Sequence, residues 1–249
     1  MSKDLAHFVR ETIRTDNHIL TARSLEAIRN LSGLEREELY TPEYGQPEYL
    51  LNCDPAGKPV RTTDDHKSAL GALVDDPPWI RIIDGKVMVL RWLAHFAGLR
   101  HRAIHLFLDH PTQTDLTFLS LRSLSKYNQP GLIDTPVAGH VDQLDSTETA
   151  VRTELHEELG LNADTDLDNL RVITTYNIEI PDFQTNYDEV EFSVLYRATV
   201  KPEALSRIQM QEEEVGGVLM MRRDEVSRWL VERPEQVGGG LRDTWSYVD

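Results

Sequence analysis

The chain of 249 residues carries 26 basic and 42 acidic side chains, for a formal net charge of −16 with histidine counted as neutral. Hydrophobic residues make up 40% and charged residues 27%, a balance that excludes collagen-like and disordered classes. The acid excess argues against a protein that binds nucleic acid mainly through the phosphate backbone, because such binding needs a basic face.

The single cysteine, Cys53, excludes an intrachain disulfide and fits a reducing compartment. The charged N-terminus lacks the apolar core of a secretory signal, and no stretch reaches the ~20 apolar residues of a membrane span. We therefore expect a cytoplasmic protein without a membrane partner. Cys53 is either a buried small apolar residue or a reactive thiol, and no basic neighbour in the sequence favours the thiol.

Residues 1–45 are predicted to form a mostly helical N-terminal extension, since apolar residues recur there at steps of three and four. Ser24 is a possible cap of a second helix. Ser32 followed by Glu35 is a capping-box pattern that predicts a third.

Residues 46–95 are predicted to form a connecting segment. A turn is expected at residues 54–57 and a helix at 64–74, followed by a hairpin around the tight turn Asp84-Gly85.

Residues 96–235 alternate strand and helix patterns, which predicts an α/β or α+β fold. The predicted strands are 103–108, 116–121, 170–180, 188–200 and 215–221, and the predicted helices are 146–159 and 224–231. Residues 236–249 begin with three glycines and are predicted to form a mobile tail.

Three carboxylates, Glu154, Glu157 and Glu158, are spaced i, i+3 and i+4 in the helix predicted over 146–159. That spacing places them on one face, where like charges repel unless solvent or a cation separates them. Mg²⁺ or Mn²⁺ suits such oxygen ligands. A solvated acidic face is the alternative interpretation, and the triplet by itself leaves both open.

The surrounding 23 residues, from 139 to 161, resemble the Nudix box, G-x5-E-x7-R-E-U-x-E-E-x-G-U with U a bulky aliphatic residue. The positions that match in register are Gly139, Glu154, Leu155, Glu157, Glu158, Gly160 and Leu161. Two positions depart from the pattern, because Asp145 stands where the first Glu belongs and Thr153 replaces the Arg. The resemblance implies a Nudix-type α/β/α sandwich with a mixed sheet.

Flanking residues, including Gly98 to Phe107 and residues 130–132, look like the isopentenyl-diphosphate-isomerase-like branch of the superfamily. The isomerase needs a catalytic Cys directly before the Gly-His that opens the box. Here that position is Ala138, so isomerase activity is the less favoured alternative.

The resemblance implies a Nudix hydrolase that cleaves a diphosphate bond in a nucleoside diphosphate derivative or related organic diphosphate. Glu154, Glu157 and Glu158 would hold Mg²⁺ or Mn²⁺ and act in catalysis, with Glu214 as a further base or ligand. Arg122, Lys126 and Gly139 are the candidate substrate-binding residues. Arg122 and Lys126 could hold phosphate, and ordinary surface charge is the alternative interpretation for both.

Two expectations complete the sequence reading. His140 and His156 are assigned supporting or surface roles, because hard cations prefer oxygen. The departures at Asp145 and Thr153, together with the N-terminal extension, keep open a nucleotide-binding or regulatory module with a decayed box. The extension could also form a homodimer interface.

Overall fold

The computed structural model describes residues 3–29, 48–70, 79–126, 128–141, 146–180 and 187–249. The capping-box pattern at Ser32 and Glu35, and the departure at Asp145, lie outside the described residues. Among the helices of the described chain, none combines the length and the apolar character that a membrane crossing requires.

The chain divides into two compact units. The first comprises Met1–Arg102, His140–Asp145 and Asn177–Phe192, and the second comprises Ala103–Gly139, Ser146–Tyr176 and Ser193–Asp249.

The first unit joins the N-terminal helices to a small sheet. Its elements are α1 (Lys3–Thr15), α2 (Ala22–Arg29), β1 (Tyr49–Leu51), α3 (Asp64–Leu70), β2 (Ile80–Ile83), β3 (Lys86–Leu90) and α4 (Arg91–Ala97). The sheet is antiparallel in the order β1-β3-β2. Ile13 and Ile28 share one hydrophobic core with Leu50, Met88 and Leu93. The described part of the extension is therefore helical, as predicted, and packs on the segment that follows it.

The turns of this unit follow their sequence signals. Asp84 and Gly85 have φ values of 51° and 70°, which is the backbone that an Asp-Gly hairpin turn requires. The Gly57 N–H donates to the Asp54 carbonyl at 2.9 Å, so the turn at 54–57 is confirmed. The prediction for Ser24 is wrong, because helix α2 already begins at Ala22. Thr21 takes the capping role, since the Ser24 N–H donates to its Oγ1 at 3.1 Å.

Every strand and helix predicted between residues 103 and 231 is present. The elements are β4 (His101–Asp109), β5 (Leu116–Arg122), β6 (Ile133–Asp134), β7 (Val137–His140), α5 (Thr147–Leu159), α6 (Ala163–Asp166), β8 (Leu167–Ile180), β9 (Glu189–Val200), β10 (Val215–Arg222), α7 (Arg223–Glu232) and α8 (Gly239–Thr244). Seven strands form one sheet in the order β10-β5-β4-β9-β8, with β6 beside β5 and β7 beside β4. This is the expected α/β fold with a mixed sheet.

Helix α5 has sequence-encoded ends. Its N-cap is Ser146, whose hydroxyl accepts from the Thr149 N–H, and its C-cap is Gly160 at a φ of 67°. Ala150, Leu155 and Leu159 are buried, so the apolar face packs and fixes the rotation of the acidic face.

Sequence patterns missed helix α4. It spans seven residues, five of which are buried (Leu93, Ala94, His95, Phe96 and Ala97). A short helix that is buried on most sides lacks the apolar and polar alternation by which amphipathic helices are found. It ends at Gly98, whose φ of 67° marks a left-handed C-cap.

The C-terminal residues form a packed segment, so the prediction of a mobile tail is wrong. A Cβ added at Gly238 or Gly240 would lie 2.4 Å or 2.7 Å from a carboxylate oxygen of Asp134. The Leu241 N–H donates to the same carboxylate at 2.7 Å, and Trp245 is 4% exposed. These glycines therefore allow close approach of the backbone, and the apolar residues after them supply the burial.

Replacing Trp245 by Ala tests this packing. We expect Trp245→Ala to lower the free energy of unfolding by roughly 3–5 kcal/mol, the usual cost of removing a buried aromatic ring. Urea denaturation measures this cost, and the exposed neighbour Ser246→Ala is the control, expected to stay within about 0.5 kcal/mol. Equal stabilities for the two variants would restore the interpretation of a mobile tail.

Candidate functional site

The three box carboxylates have different environments on helix α5. Glu158 is buried, Glu154 is half-buried and Glu157 is exposed. Burial of Glu158 and the negative charge of Glu154 raise the pKa of Glu158 well above its usual range, against the opposing positive charge of Lys126. Two acids therefore crowd one face of the helix, and one of them is removed from water.

Strand β7 lies beside the carboxylates of Glu154 and Glu158. The Ala138 N–H donates to Oε2 of Glu158 at 3.4 Å. A Cβ added at Gly139 would lie 2.2 Å from Oε1 of Glu154, closer than any side chain tolerates. Gly139 therefore makes room for the Glu154 carboxylate, and its assignment as a substrate-binding residue stays a prediction.

Lys126 and Glu214 form an ion pair in the same unit. Two serine hydroxyls connect the chain segment that carries Lys126 to the segment that carries Glu214. The Ser123 hydroxyl donates to the Glu212 carbonyl at 2.7 Å, and the Ser125 hydroxyl donates to the Glu213 carbonyl at 3.0 Å. The sequence reading did not single out these serines, because a hydroxyl that binds a distant carbonyl leaves no periodic pattern.

The turn before Glu214 is also fastened to the end of helix α5. The Gln209 N–H donates to the Leu159 carbonyl at 2.9 Å, and the Gln211 N–H donates to the Glu158 carbonyl at 3.1 Å. The sequence-predicted residues Glu158, Lys126 and Glu214 are therefore linked through two short loops.

Arg122 lies close enough to lower the pKa of Glu158 by its charge. Its guanidinium already donates to the Asn128 carbonyl at 2.8 Å and lies 3.6 Å from the Asp134 carboxylate. These contacts tie Arg122 to the loop that follows β5.

The position of the missing box arginine is exposed. Thr153 faces solvent, and the adjacent Arg152 binds Asp164 at 2.6 Å and Glu148 at 3.3 Å. Arg152 therefore points away from Glu154 and Glu158 and does not replace the family arginine. Ala138, Lys126 and Arg122 supply positive charge or hydrogen bonds to Glu158 instead.

These residues fit a hard divalent cation. The donors are carboxylate oxygens, the atoms that Mg²⁺ and Mn²⁺ prefer. The crowding of Glu154 and Glu158 disfavours the ionised form of Glu158, and the charge of a bound cation would offset the cost of ionising it.

Three histidines of the first unit form a second cluster, which the sequence reading missed. His95 comes from α4, His101 begins β4 and His140 ends β7, and one ring nitrogen from each lies within 4.8 Å of the others. His95 and His101 are each 1% exposed. His140 had been assigned a supporting role, but the structure places it among these candidate metal ligands, while His156 is exposed as expected.

Hydrogen bonds define which ring nitrogens are available. Nδ1 of His95 lies 3.1 Å from the Asp188 carbonyl, and Nδ1 of His101 lies 2.9 Å from the Leu99 carbonyl. A carbonyl only accepts, so each Nδ1 carries the proton and each Nε2 carries a lone pair. Both Nε2 atoms are buried, and neither has a hydrogen-bond partner within the part of the chain that the structure describes.

The electrostatics of the cluster favour neutral rings. Burial lowers the pKa of His95 well below its usual range, and the neighbouring imidazoles of His101 and His140 lower it further. Burial and His140 lower the pKa of His101 to about 4. Neutral imidazole is the form that binds a metal ion.

Carboxylates border the three rings. Oε1 of Glu191 lies 3.8 Å from Nε2 of both His101 and His140, close to the ~3.4 Å that separates two ligands of a tetrahedral ion with bonds of about 2.1 Å. Glu48 lies 3.4 Å from Nδ1 of His140 and also binds Arg91. Burial alone would raise the pKa of Glu48, but His140 and Arg91 lower it far below its usual value, so this carboxylate stays charged.

No contiguous motif could have revealed this cluster, since its ligands come from three separate segments. The one available signal was the pair His95 and His101, six residues apart on either side of Gly98. A glycine between two elements often marks a close approach of the backbone.

Comparison with known proteins agrees with the box geometry. The family model of the NUDIX domain matches residues 99–237, more than half of the chain. The chain belongs to the Nudix family. In the folded chain the box helix places Glu154 beside Gly139 and Glu158 beside the Ala138 N–H.

Relatives within the Nudix family are distant. Nudix hydrolase 3 from Arabidopsis thaliana is 31% identical over 137 residues, which cover 55% of this chain and 17% of that protein. The chain thus spans less than a fifth of the length of this relative.

Two solved structures are similar over part of the chain. A Deinococcus radiodurans protein is 21% identical with a TM-score of 0.46, over 58% of this chain and 80% of the other. The NUDIX domain of NrtR from Shewanella oneidensis, crystallised with ADP-ribose, is 20% identical with a TM-score of 0.40, over 51% and 75%.

Cys53 is buried, and burial raises its pKa to about 12. At pH 8 the thiolate fraction is therefore on the order of 10⁻⁴, because each pH unit below the pKa lowers it tenfold. We expect negligible labelling of the native chain by iodoacetamide at pH 8 and complete labelling in urea. Rapid labelling of the native chain, followed by mass spectrometry, would show that Cys53 is a reactive thiol.

Proposed function

We propose that this Nudix chain is a metal-dependent pyrophosphohydrolase. Its substrate class is a nucleoside diphosphate derivative or a related organic diphosphate. The observation that supports this most directly is the crowding of Glu154 and the buried Glu158 beside Gly139, next to the ion pair of Lys126 and Glu214.

Under this proposal Glu154, Glu157 and Glu158 would hold Mg²⁺ or Mn²⁺, which would neutralise charge at phosphate and lower the pKa of a bound water molecule. Lys126 and Arg122, whose charges act on Glu158, are the candidate side chains for holding phosphate. Glu214, paired with Lys126, is the candidate acceptor for the proton of the attacking water. The anionic substrate thus meets a local positive field in a protein of net charge −16.

Isomerisation is disfavoured on structural grounds. Ala138 holds the place of the catalytic cysteine and offers only its backbone N–H, which binds Glu158. Cys53 is buried with a pKa raised to about 12, so it exchanges no proton at neutral pH. Within the family, we therefore assign hydrolysis to this chain even if its ancestry lies near the isomerase-like branch.

The variant Glu157→Gln tests the hydrolase assignment. Glu157 is exposed, so the substitution keeps the fold while it removes one charge from the proposed cation site. We expect Mg²⁺-dependent release of phosphate compounds from a panel of nucleoside diphosphate derivatives to fall by roughly 100-fold or more.

The matched control is Glu148→Gln, an exposed carboxylate in the first turn of the same helix, for which we expect unchanged turnover. Equal rates for Glu157→Gln and the unaltered chain would refute the assignment. Nucleotide binding in calorimetry without any product would instead support the alternative of a binding or regulatory module.

The histidine cluster favours a second activity in metal binding. We propose that His95, His101 and His140, with Glu191, bind a transition-metal ion of the Zn²⁺ or Co²⁺ class. Imidazole nitrogens suit such ions better than Mg²⁺, and among the described residues two buried Nε2 atoms have no hydrogen-bond partner.

Co²⁺ provides an optical probe of this centre. In excess Mg²⁺, which saturates oxygen sites, we expect the unaltered chain to bind Co²⁺ with visible absorption bands typical of nitrogen ligands. His140→Gln should lower the Co²⁺ affinity by at least about 10-fold, whereas the exposed His156→Gln should leave it unchanged. Bands that survive His140→Gln would place the Co²⁺ elsewhere.

A further inference from the structure

Helix α1 contributes a buried arginine to the first unit. Arg10 is 8% exposed, and its Nε donates to Oδ2 of Asp188 at 3.0 Å while its Nη2 donates to Oδ1. The pair is bidentate, the geometry in which a guanidinium holds a carboxylate most firmly. A buried charge left without its partner is costly, so Arg10 and Asp188 fix each other's position.

Asp188 is also the residue that orients His95. Its carbonyl accepts the Nδ1 proton of His95 at 3.1 Å, and its N–H donates to the His95 carbonyl at 2.9 Å. The adjacent Tyr187 ring stacks on the His95 ring at a centroid distance of 4.0 Å and an angle of 10°. The rotation of the His95 ring, and hence the direction of its Nε2, depends on where the backbone at residue 188 lies.

A second N-terminal residue supports the chain that leads to His101. Nδ1 of His18 lies 2.8 Å from the Gly98 carbonyl, and the His18 carbonyl accepts from the Arg100 N–H at 2.7 Å. Gly98 approaches Asp188 so closely that a Cβ there would lie 3.1 Å from Oδ2. His18 therefore holds residues 98 and 100, while residue 95 is held by Asp188, the partner of Arg10.

We infer that helix α1 is a positioning element of the histidine centre, in which Arg10 acts through Asp188 on His95. This inference rests on the proposed transition-metal site and assigns a role to the N-terminal extension. Hydrogen-bond partners of metal-binding imidazoles fix the tautomer and the ring orientation, and altering them typically lowers metal affinity by about 10–100-fold.

Anchoring of the helix does not depend on Arg10 alone. Val9 and Ile13, on either side of it along α1, are fully buried in the apolar core. A variant at residue 10 can therefore keep the helix docked while it shifts Asp188. Arg10→Lys retains the charge and loses the bidentate fork, because an ammonium is a point charge.

The experiment compares Co²⁺ binding and the Co²⁺ absorption spectrum in excess Mg²⁺. For Arg10→Lys we expect a 10–100-fold weaker affinity and altered visible bands. The matched control is Arg14→Lys on the same helix, whose side chain is 67% exposed in a surface pair with Glu11. Its affinity and bands should equal those of the unaltered chain.

A double variant provides a second test if the single substitution prevents folding. Arg10→Met with Asp188→Asn removes both buried charges together and leaves neither without a partner. We expect it to fold and to show the same loss of Co²⁺ affinity, since the carboxylate no longer fixes residue 188. Circular dichroism in the near ultraviolet reports whether each variant keeps its tertiary packing.

The outcomes separate the two proposals. A lower unfolding temperature with unchanged Co²⁺ affinity and bands in both variants would make Arg10 a stabilising residue only and overturn the inference. If the unaltered chain binds no Co²⁺ through His140, the histidine centre fails and Arg10 loses this role with it. The pyrophosphohydrolase assignment, tested by Glu157→Gln, is independent of both results.

Discussion

The candidate hydrolase site is organised around one constraint, the burial of the Glu158 carboxylate beside Glu154. A buried acid next to a like charge is unfavourable unless donors and cations surround it. The Ala138 N–H and the positive charges of Lys126 and Arg122 each reduce that cost, and Gly139 leaves room for the Glu154 carboxylate. What remains is an excess of oxygen ligands, the state in which a protein site binds a hard cation.

The histidine cluster also buries polar atoms, but these are ring nitrogens instead of carboxylate oxygens. His95 and His101 bury lone pairs that no donor among the described residues satisfies, and neutral nitrogen is a ligand for softer ions. Under the two proposals, one chain would present an oxygen site and a nitrogen site that select different metals by donor type. Selection by donor type matters in a cell, where geometry and ligand chemistry decide occupancy more than raw affinity does.

Sequence alone predicted the box helix because spacing and caps act locally. Ser146, Gly160 and the i, i+3, i+4 carboxylates all fall within one helix. It did not predict that Glu158 is buried while Glu157 is exposed, since that depends on β7 and on the loop through Gln211, which reach the helix only in the folded chain. The histidines were missed for the same reason, as three short segments bring them together. The glycines at 238–240 were wrongly predicted to form a mobile tail. Glycine occurs both in flexible segments and where the backbone packs closely, so the sequence alone does not distinguish the two.

The contact between Arg10 and Asp188 joins residues 178 positions apart. Closing so long a loop carries a large entropic cost, and such contacts form after local structure is in place. The ring of His95 can therefore take its described orientation only once the N-terminal helix and the segment around Asp188 have met. During synthesis residue 188 follows the box helix, so the carboxylates of that local helix are in place in the chain before the contact that orients His95 can form.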